Sequence, residues 1–122
     1  MVIVPDFLIK KIYQKGSLKK LDNGASFNLK NVLGPGFISG FNYVRINDVT
    51  YEAEKVKFIM NGNEYTSADV SDDHPIAFRL GQVGTLVVTG DDSVVEGGVN
   101  KIVIEALNPE AGVVKLSVED NT

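Results

Sequence analysis

Hydrophobic residues recur at every second position through most of this chain. In residues 25–32, Phe27 and Leu29 alternate with polar neighbours. The same alternation runs through four further segments, at residues 55–60, 85–89, 101–106 and 113–119. Neighbouring side chains of a strand point to opposite faces of a sheet, so this period indicates strands that bury one face. The pattern therefore predicts β-strands along the chain.

Turn residues separate the predicted strands. Asn23-Gly24 and Asn61-Gly62 are dipeptides that favour type I′ turns, so each predicts a tight antiparallel hairpin. Residues 66–71 are the one stretch that allows a helical turn, which Ser67 would cap and Pro75 would limit. Eight or nine short strands with turns about every ten residues predict an all-β, antiparallel β-sandwich of jelly-roll or immunoglobulin-like topology, with at most one helical turn.

The length suits one domain with one hydrophobic core. A chain of 122 residues is too short for two such cores. We expect a single sandwich domain over residues 1–122, with its core at 8–118 and a frayed tail at 119–122. No segment reaches the roughly 18 to 20 apolar residues of a membrane span. Residues 2–4 are apolar but lack a basic flank, so we expect an unprocessed, cytoplasmic protein without membrane contact.

Composition excludes several kinds of function. Twelve Lys and Arg against sixteen Asp and Glu give a net charge of −4, which argues against nucleic acid as a partner. The absence of Cys excludes disulfides, thiolate metal sites and Cys nucleophiles. His74, the single His, follows Asp72 and Asp73. Because no second and third ligand stands at metal-site spacing, we expect a loop here, and a role for this trio stays an open question.

Acidic pairs and glycine-rich segments add no catalytic motif. Three carboxylate pairs occur, namely Glu52 with Glu54, Asp91 with Asp92, and Glu119 with Asp120. Adjacent residues of a strand point to opposite faces, so the last two pairs do not flank one glycosidic bond, and we expect such charged pairs to face solvent. The glycine-rich stretches at 34–36 and 81–84 match no phosphate-binding loop. We expect no catalytic, cofactor-binding or metal-ligating residue in this chain.

Aromatic residues offer the remaining candidate site. Phe37, Phe41 and Tyr43 stand at odd positions of one stretch, so on a regular strand they would share a face. Ile38, Val44 and Ile46 would then occupy the opposite face. A strand that is apolar on both faces is buried between layers or contacts a partner. We therefore take Phe37, Phe41 and Tyr43 as candidate partner or sugar contacts.

The order of the predicted hairpins suggests a family. A hairpin at residues 44–51 precedes a second at 56–65, and residues 77–81, 85–89 and 96–104 follow. This order is similar to that of the small β subunits of C-glycoside deglycosidases and their uncharacterised relatives. The resemblance implies a β-sandwich subunit that packs on a larger TIM-barrel, sugar-isomerase-like catalytic subunit, which holds a divalent metal. The matching positions are hydrophobic residues and glycines, so no functional side chain carries over.

The sequence therefore predicts a noncatalytic accessory subunit of a sugar-metabolising enzyme, with a larger catalytic subunit or a second copy of itself as partner. The shortage of His and Cys agrees with binding rather than catalysis. Two alternatives of the binding kind are a stand-alone carbohydrate-binding module with a sugar ligand and a protein-interaction domain. A third alternative is a small enzyme that uses His74 with Asp72 or Asp73.

Overall fold

A computed structural model describes residues 8, 10–34, 36–66, 68–90 and 95–121. In these ranges the chain forms eleven strands: β1 (Lys19–Leu21), β2 (Gly24–Lys30), β3 (Gly36–Ile38), β4 (Gly40–Ile46), β5 (Val49–Glu52), β6 (Val56–Met60), β7 (Asn63–Tyr65), β8 (Ile76–Phe78), β9 (Val83–Thr89), β10 (Val99–Asn108) and β11 (Gly112–Asn121). Every paired strand is antiparallel. The predicted all-β sandwich is confirmed, with more strands than the eight or nine expected.

Two main sheets enclose the core. One has the strand order β1-β2-β9-β6-β7 and the other β11-β10-β4-β5, while β3 and β8 form a small third sheet. Alternate residues of the central strands are buried, as the period of two predicts. Phe27, Leu86 and Phe58 come from the first sheet, and Ile46 and Ile102 from the second. Burying such side chains stabilises the fold by roughly 1.5 to 3 kcal/mol each.

The hairpin turns agree with the sequence in one case and differ in another. Asn61 and Gly62 have φ values of 54° and 79°, which gives the predicted turn between β6 and β7. The tight hairpin predicted at Asn23-Gly24 is confirmed, but its turn lies one residue earlier, because Gly24 pairs with Leu21 inside the ladder and the turn residues are Asp22 and Asn23. Gly24 meets another need there: a Cβ at this position would lie 1.8 Å from the Val88 carbonyl oxygen.

A β-bulge divides the aromatic stretch. On β10, Glu105 pairs with Tyr43 but the next residue, Ala106, pairs with Phe41. Asn42 is therefore the extra residue, and its side chain donates a hydrogen bond to Glu105 Oε2 at 2.8 Å. One inserted residue reverses the face of every side chain beyond it. The prediction that Phe37, Phe41 and Tyr43 share one strand face is therefore wrong.

The helical turn also lies elsewhere than predicted. The described residues contain two short 3₁₀ turns, Lys10–Ile12 and Ala53–Lys55. Residues 66–71 contain a turn closed by Asp69, whose carboxylate accepts hydrogen bonds from the Thr66 backbone N–H and hydroxyl. These bonds lower the pKa of Asp69. The proposed cap, Ser67, lies outside the described residues.

The C-terminal residues as far as Asn121 belong to a strand and do not form a tail. β11 pairs with β10 along its whole length, and Asn121 faces Val99. Asp120 is 3% exposed, because its carboxylate binds groups of the N-terminal segment. The expected frayed tail at 119–122 is therefore corrected for residues 119–121, and Thr122 lies outside the described residues.

Candidate functional site

An apolar pocket opens between the two sheets at the end where β10 turns into β11. Its volume is about 400 Å³, within the range of small-ligand and side-chain pockets. Apolar side chains from six strands and the first 3₁₀ turn form most of its wall, namely Ile12, Leu29, Ile38, Phe41, Phe78, Ile104, Ala106, Leu107, Val114 and Leu116. Leu33 and Phe37 stand at its mouth, 40% and 48% exposed.

A buried amide holds one wall of this pocket. Asn31 follows β2 and is 5% exposed. Its Nδ2 donates hydrogen bonds to the carbonyl oxygens of Gly34 and Phe78, at 2.5 and 2.6 Å. Its Oδ1 accepts from the backbone N–H groups of Leu33 and Gly34. The side chain therefore ties the segment after β2 to β8 and has no hydrogen-bonding capacity left for a ligand.

A second amide holds the opposite wall. Asn108 Nδ2 donates to the Phe37 carbonyl oxygen at 2.8 Å, and its Oδ1 accepts from the N–H groups of Glu110 and Ala111, both at 2.8 Å. This arrangement joins β3 to the β10–β11 turn. Asn31 is thus fully satisfied within the chain, and Asn108 makes three of its four possible hydrogen bonds there. A molecule that enters the pocket gains free energy mainly from apolar contact, more than from hydrogen bonds to these groups.

The three aromatic candidates occupy different places. Phe37 stands at the pocket mouth and Phe41 in its wall, where the Phe41 ring lies 5.7 Å from the Phe58 ring. Tyr43 is on the outer face of the four-stranded sheet, with the Arg45 guanidinium 5.3 Å from its ring centroid. The bulge at Asn42 separates Tyr43 from the other two. Contact of these residues with a partner stays a prediction.

The catalytic alternative gains no supporting geometry. Asp72, Asp73 and His74 are all exposed in a loop, where the His74 N–H bonds to Ser71. Glu52, Glu54 and Glu119 are all exposed, and Asp91 and Asp92 lie outside the described residues. In the described ranges no group of three or more His, Asp or Glu side chains is placed to hold a metal ion.

Asp120, one of the paired carboxylates expected to face solvent, is instead buried and binds the two ends of the chain together. Asp120 Oδ2 accepts a hydrogen bond from the Tyr13 hydroxyl at 2.6 Å and from the N–H groups of Gly16 and Leu18, at 2.9 and 3.3 Å. Burial raises the pKa of Asp120, but the hydrogen bonds from Tyr13, Asn121, Gly16 and Leu18 together hold it below its usual value. We call Asp120 with Tyr13, Gly16 and Leu18 the terminal clasp.

Sequence reasoning missed the pocket and the clasp for different reasons. The pocket is made by residues from many strands, so its existence depends on a strand order that periodicity does not give. The clasp pairs residues separated by more than one hundred positions. The available signal was that Asp120 continues the even-numbered, inward positions of the strand predicted at residues 113–119, where an acidic residue needs a buried partner.

Comparison with known proteins identifies a family. The family model described as Hydroxymethylglutaryl-CoA reductase, N-terminal domain, matches residues 8–122. No protein with a curated description matches significantly. Across the part of the chain that the structure describes, no helix is both long and apolar enough to cross a membrane. The matched description is that of one domain of a larger protein.

This match overturns the resemblance to C-glycoside deglycosidase β subunits. The expected accessory role beside a sugar-isomerase-like catalytic subunit is wrong with it, as is the place in carbohydrate metabolism, and the carbohydrate-binding alternative finds no support. The resemblance rested on hydrophobic positions and glycines of consecutive hairpins. Antiparallel sheets of any family need those residue types at those places, so the pattern has little power to distinguish families.

Proposed function

The chain belongs to the Hydroxymethylglutaryl-CoA reductase, N-terminal domain, family, and we propose that it is a noncatalytic domain that docks on the rest of a reductase through its apolar pocket. The observation that carries this proposal is the state of the pocket's polar groups. Asn31 makes all of its side-chain hydrogen bonds within the chain and Asn108 makes three of its four, so the pocket suits apolar side chains of a protein partner.

The mouth of the pocket indicates how the partner binds. Leu33 and Phe37 are large apolar residues that expose nearly half of their surface there. In a complex, an apolar side chain of the partner would fill the pocket and form the buried centre of the interface. Leu33 and Phe37 would be covered around it, as the residues that surround a binding hot spot are. The residues lining the pocket include one charged group, Glu110. We therefore expect the docking segment to carry a Lys or Arg next to its apolar anchor.

The first prediction concerns Phe37. The Phe37→Ser variant should bind the catalytic part of a reductase from the same organism about tenfold more weakly than the unchanged chain, because it loses an aromatic contact at the mouth of the pocket. Titration calorimetry of the two separately purified proteins measures the difference. The unfolding free energy should change little, since Phe37 is 48% exposed.

Val99→Ser is the matched control. Val99 is 61% exposed and begins β10, at the end of that strand opposite to the pocket. This variant should keep the affinity of the unchanged chain within a factor of about two, as a surface change away from the contact should. Equal losses in Phe37→Ser and Val99→Ser would place the interface elsewhere. Failure of the unchanged chain to bind the reductase would refute the proposed docking.

A further inference from the structure

A second concave surface lies on the outer face of the four-stranded sheet. It has a volume of about 650 Å³, and we call it the basic groove. The first 3₁₀ turn, the segment after it, β4 and β10 each contribute one cation to it, namely Lys10, Lys15, Arg45 and Lys101. These are four of the twelve Lys and Arg residues in a chain of net charge −4. Such a concentration of one sign in a concavity raises the local concentration of the opposite ion.

Two of the cations are held on rigid elements. Arg45 Nε donates to the Thr50 hydroxyl at 3.1 Å while its guanidinium lies over the Tyr43 ring. The backbone of Lys101 is fixed on both sides, because its N–H donates to Asn47 Oδ1 and its carbonyl accepts from the Asn47 N–H, both at 3.0 Å. The strand scaffold therefore sets the spacing of Arg45 and Lys101 before any ligand binds.

The terminal clasp fixes the backbone segment that carries the other two cations, Lys10 and Lys15. Asp120 binds the Tyr13 hydroxyl and the Gly16 N–H, and Lys15 lies between these two anchored residues. Lys10 belongs to the 3₁₀ turn that leads into the same segment, where the Tyr13 N–H donates to the Lys10 carbonyl oxygen. The segment thus forms a wall along β11 with two Lys residues at the groove.

Two carboxylates also face the groove. Asp48 lies at the β4–β5 turn, and Glu119 stands opposite Lys101 in the β10–β11 ladder. Neither is within ion-pair distance of a groove cation: in the described ranges one ion pair forms, between Lys57 and Glu64 on the other sheet at 3.5 Å. The groove therefore has an excess of two positive charges, since four cations face two carboxylates.

We propose that the basic groove binds a multivalent anion of the phosphate class. Ammonium and guanidinium groups that converge from separate elements suit an ion with several anionic oxygens, which accepts charge-assisted hydrogen bonds from more than one of them. Val103 and Val118 also line the groove and offer apolar contact to an organic part of the ligand. This site is on a different surface from the docking pocket and does not depend on the proposed function.

Inorganic pyrophosphate is the probe that tests the site. Calorimetric titration of the full chain at constant ionic strength should give saturable binding of one pyrophosphate per chain, and binding should weaken as salt is added. The double variant Lys15→Gln/Lys101→Gln should bind roughly tenfold more weakly, since it removes two of the groove's charges without burying any group. Both residues are exposed, so the variant should fold normally.

Lys30→Gln is the matched control, because Lys30 is an exposed cation at the end of β2 in the other sheet. Its affinity for pyrophosphate should stay within about twofold of the unchanged chain. An equal loss in Lys30→Gln would show general charge screening and overturn the assignment of the site. The same conclusion follows if pyrophosphate binds no better than chloride at matched ionic strength.

Discussion

Gly84→Ala should lower the free energy of unfolding by about 3 kcal/mol, the upper part of the usual range for overpacking a core. Gly84 lies in β9 opposite Leu29. A Cβ added there would lie 2.0 Å from Phe58 Cζ. The Phe58 ring has little freedom to move away, because it is 1% exposed and packs against the Phe41 and Phe78 rings at 5.7 and 5.6 Å. Urea denaturation followed by circular dichroism measures the loss.

Two further variants identify the cause of the expected loss. Gly97→Ala is the control: Gly97 is exposed, and a Cβ there meets no atom within 4 Å, so its stability should change by less than about 0.5 kcal/mol. The double variant Gly84→Ala/Phe58→Leu should be more stable than the sum of its single changes by about 1 kcal/mol, because a smaller side chain makes room for the methyl group. Strict additivity would show that contact with Phe58 is not the cause.

Asp120→Asn should cost about 2 to 3 kcal/mol at neutral pH. The amide replaces a buried carboxylate that accepts bonds from Tyr13, Gly16 and Leu18, and charged acceptors are worth more than neutral ones. Its NH₂ group would also face donors rather than acceptors. Glu119→Gln is the control, since Glu119 is the exposed neighbour on the same strand. A cost confined to Asp120→Asn in urea denaturation would locate the effect in the clasp, whereas equal costs would contradict it.

The Asp120 carboxylate should also make the free energy of unfolding depend on pH. The pKa of Asp120 is lower in the folded chain than its usual value, since the hydrogen bonds outweigh the effect of burial. The unfolded chain then takes up the proton first as pH falls, so the clasp's contribution is complete above about pH 5 and declines below the unfolded pKa near 4. Asp120→Asn should flatten the fall in stability over that interval. An unchanged slope would show that other groups cause it.

Periodicity predicted the parts of the fold that depend on neighbouring residues. β6 (Val56–Met60) and its Asn61-Gly62 turn follow from alternation and from a dipeptide that accepts positive φ. The bulge at Asn42 could not be predicted in this way, because no particular residue type marks the position of an inserted residue in a strand. The bulge becomes visible only when β4 is paired with β10, where the register shifts between Glu105 and Ala106. A prediction based on odd and even numbering therefore failed for Tyr43.

The candidate site depends still more on tertiary structure. Odd numbering places Phe37 and Phe41 on one face of a single predicted strand, yet they lie on two strands and meet at a pocket whose other walls come from β2, β8, β10 and β11. In the sequence, Asn31 is a polar residue of the run at 25–32 and Asn108 has the composition of a turn residue. Their function as supports of the pocket depends on the carbonyl groups of Phe78 and Phe37, which lie far from them along the chain.

The terminal clasp also bears on how quickly the chain folds and unfolds. Tyr13 and Asp120 are separated by 107 positions, so their contact closes nearly the whole chain into a loop. The chain loses this conformational entropy before the hydrogen bonds of the clasp can compensate for it. Hairpins such as β6–β7 and β10–β11 need no such closure, and we expect them to form before the N-terminal segment docks. Loss of the clasp should then accelerate unfolding and leave the refolding rate nearly unchanged. The lifetime of the native state, more than the speed of its formation, would depend on this single carboxylate.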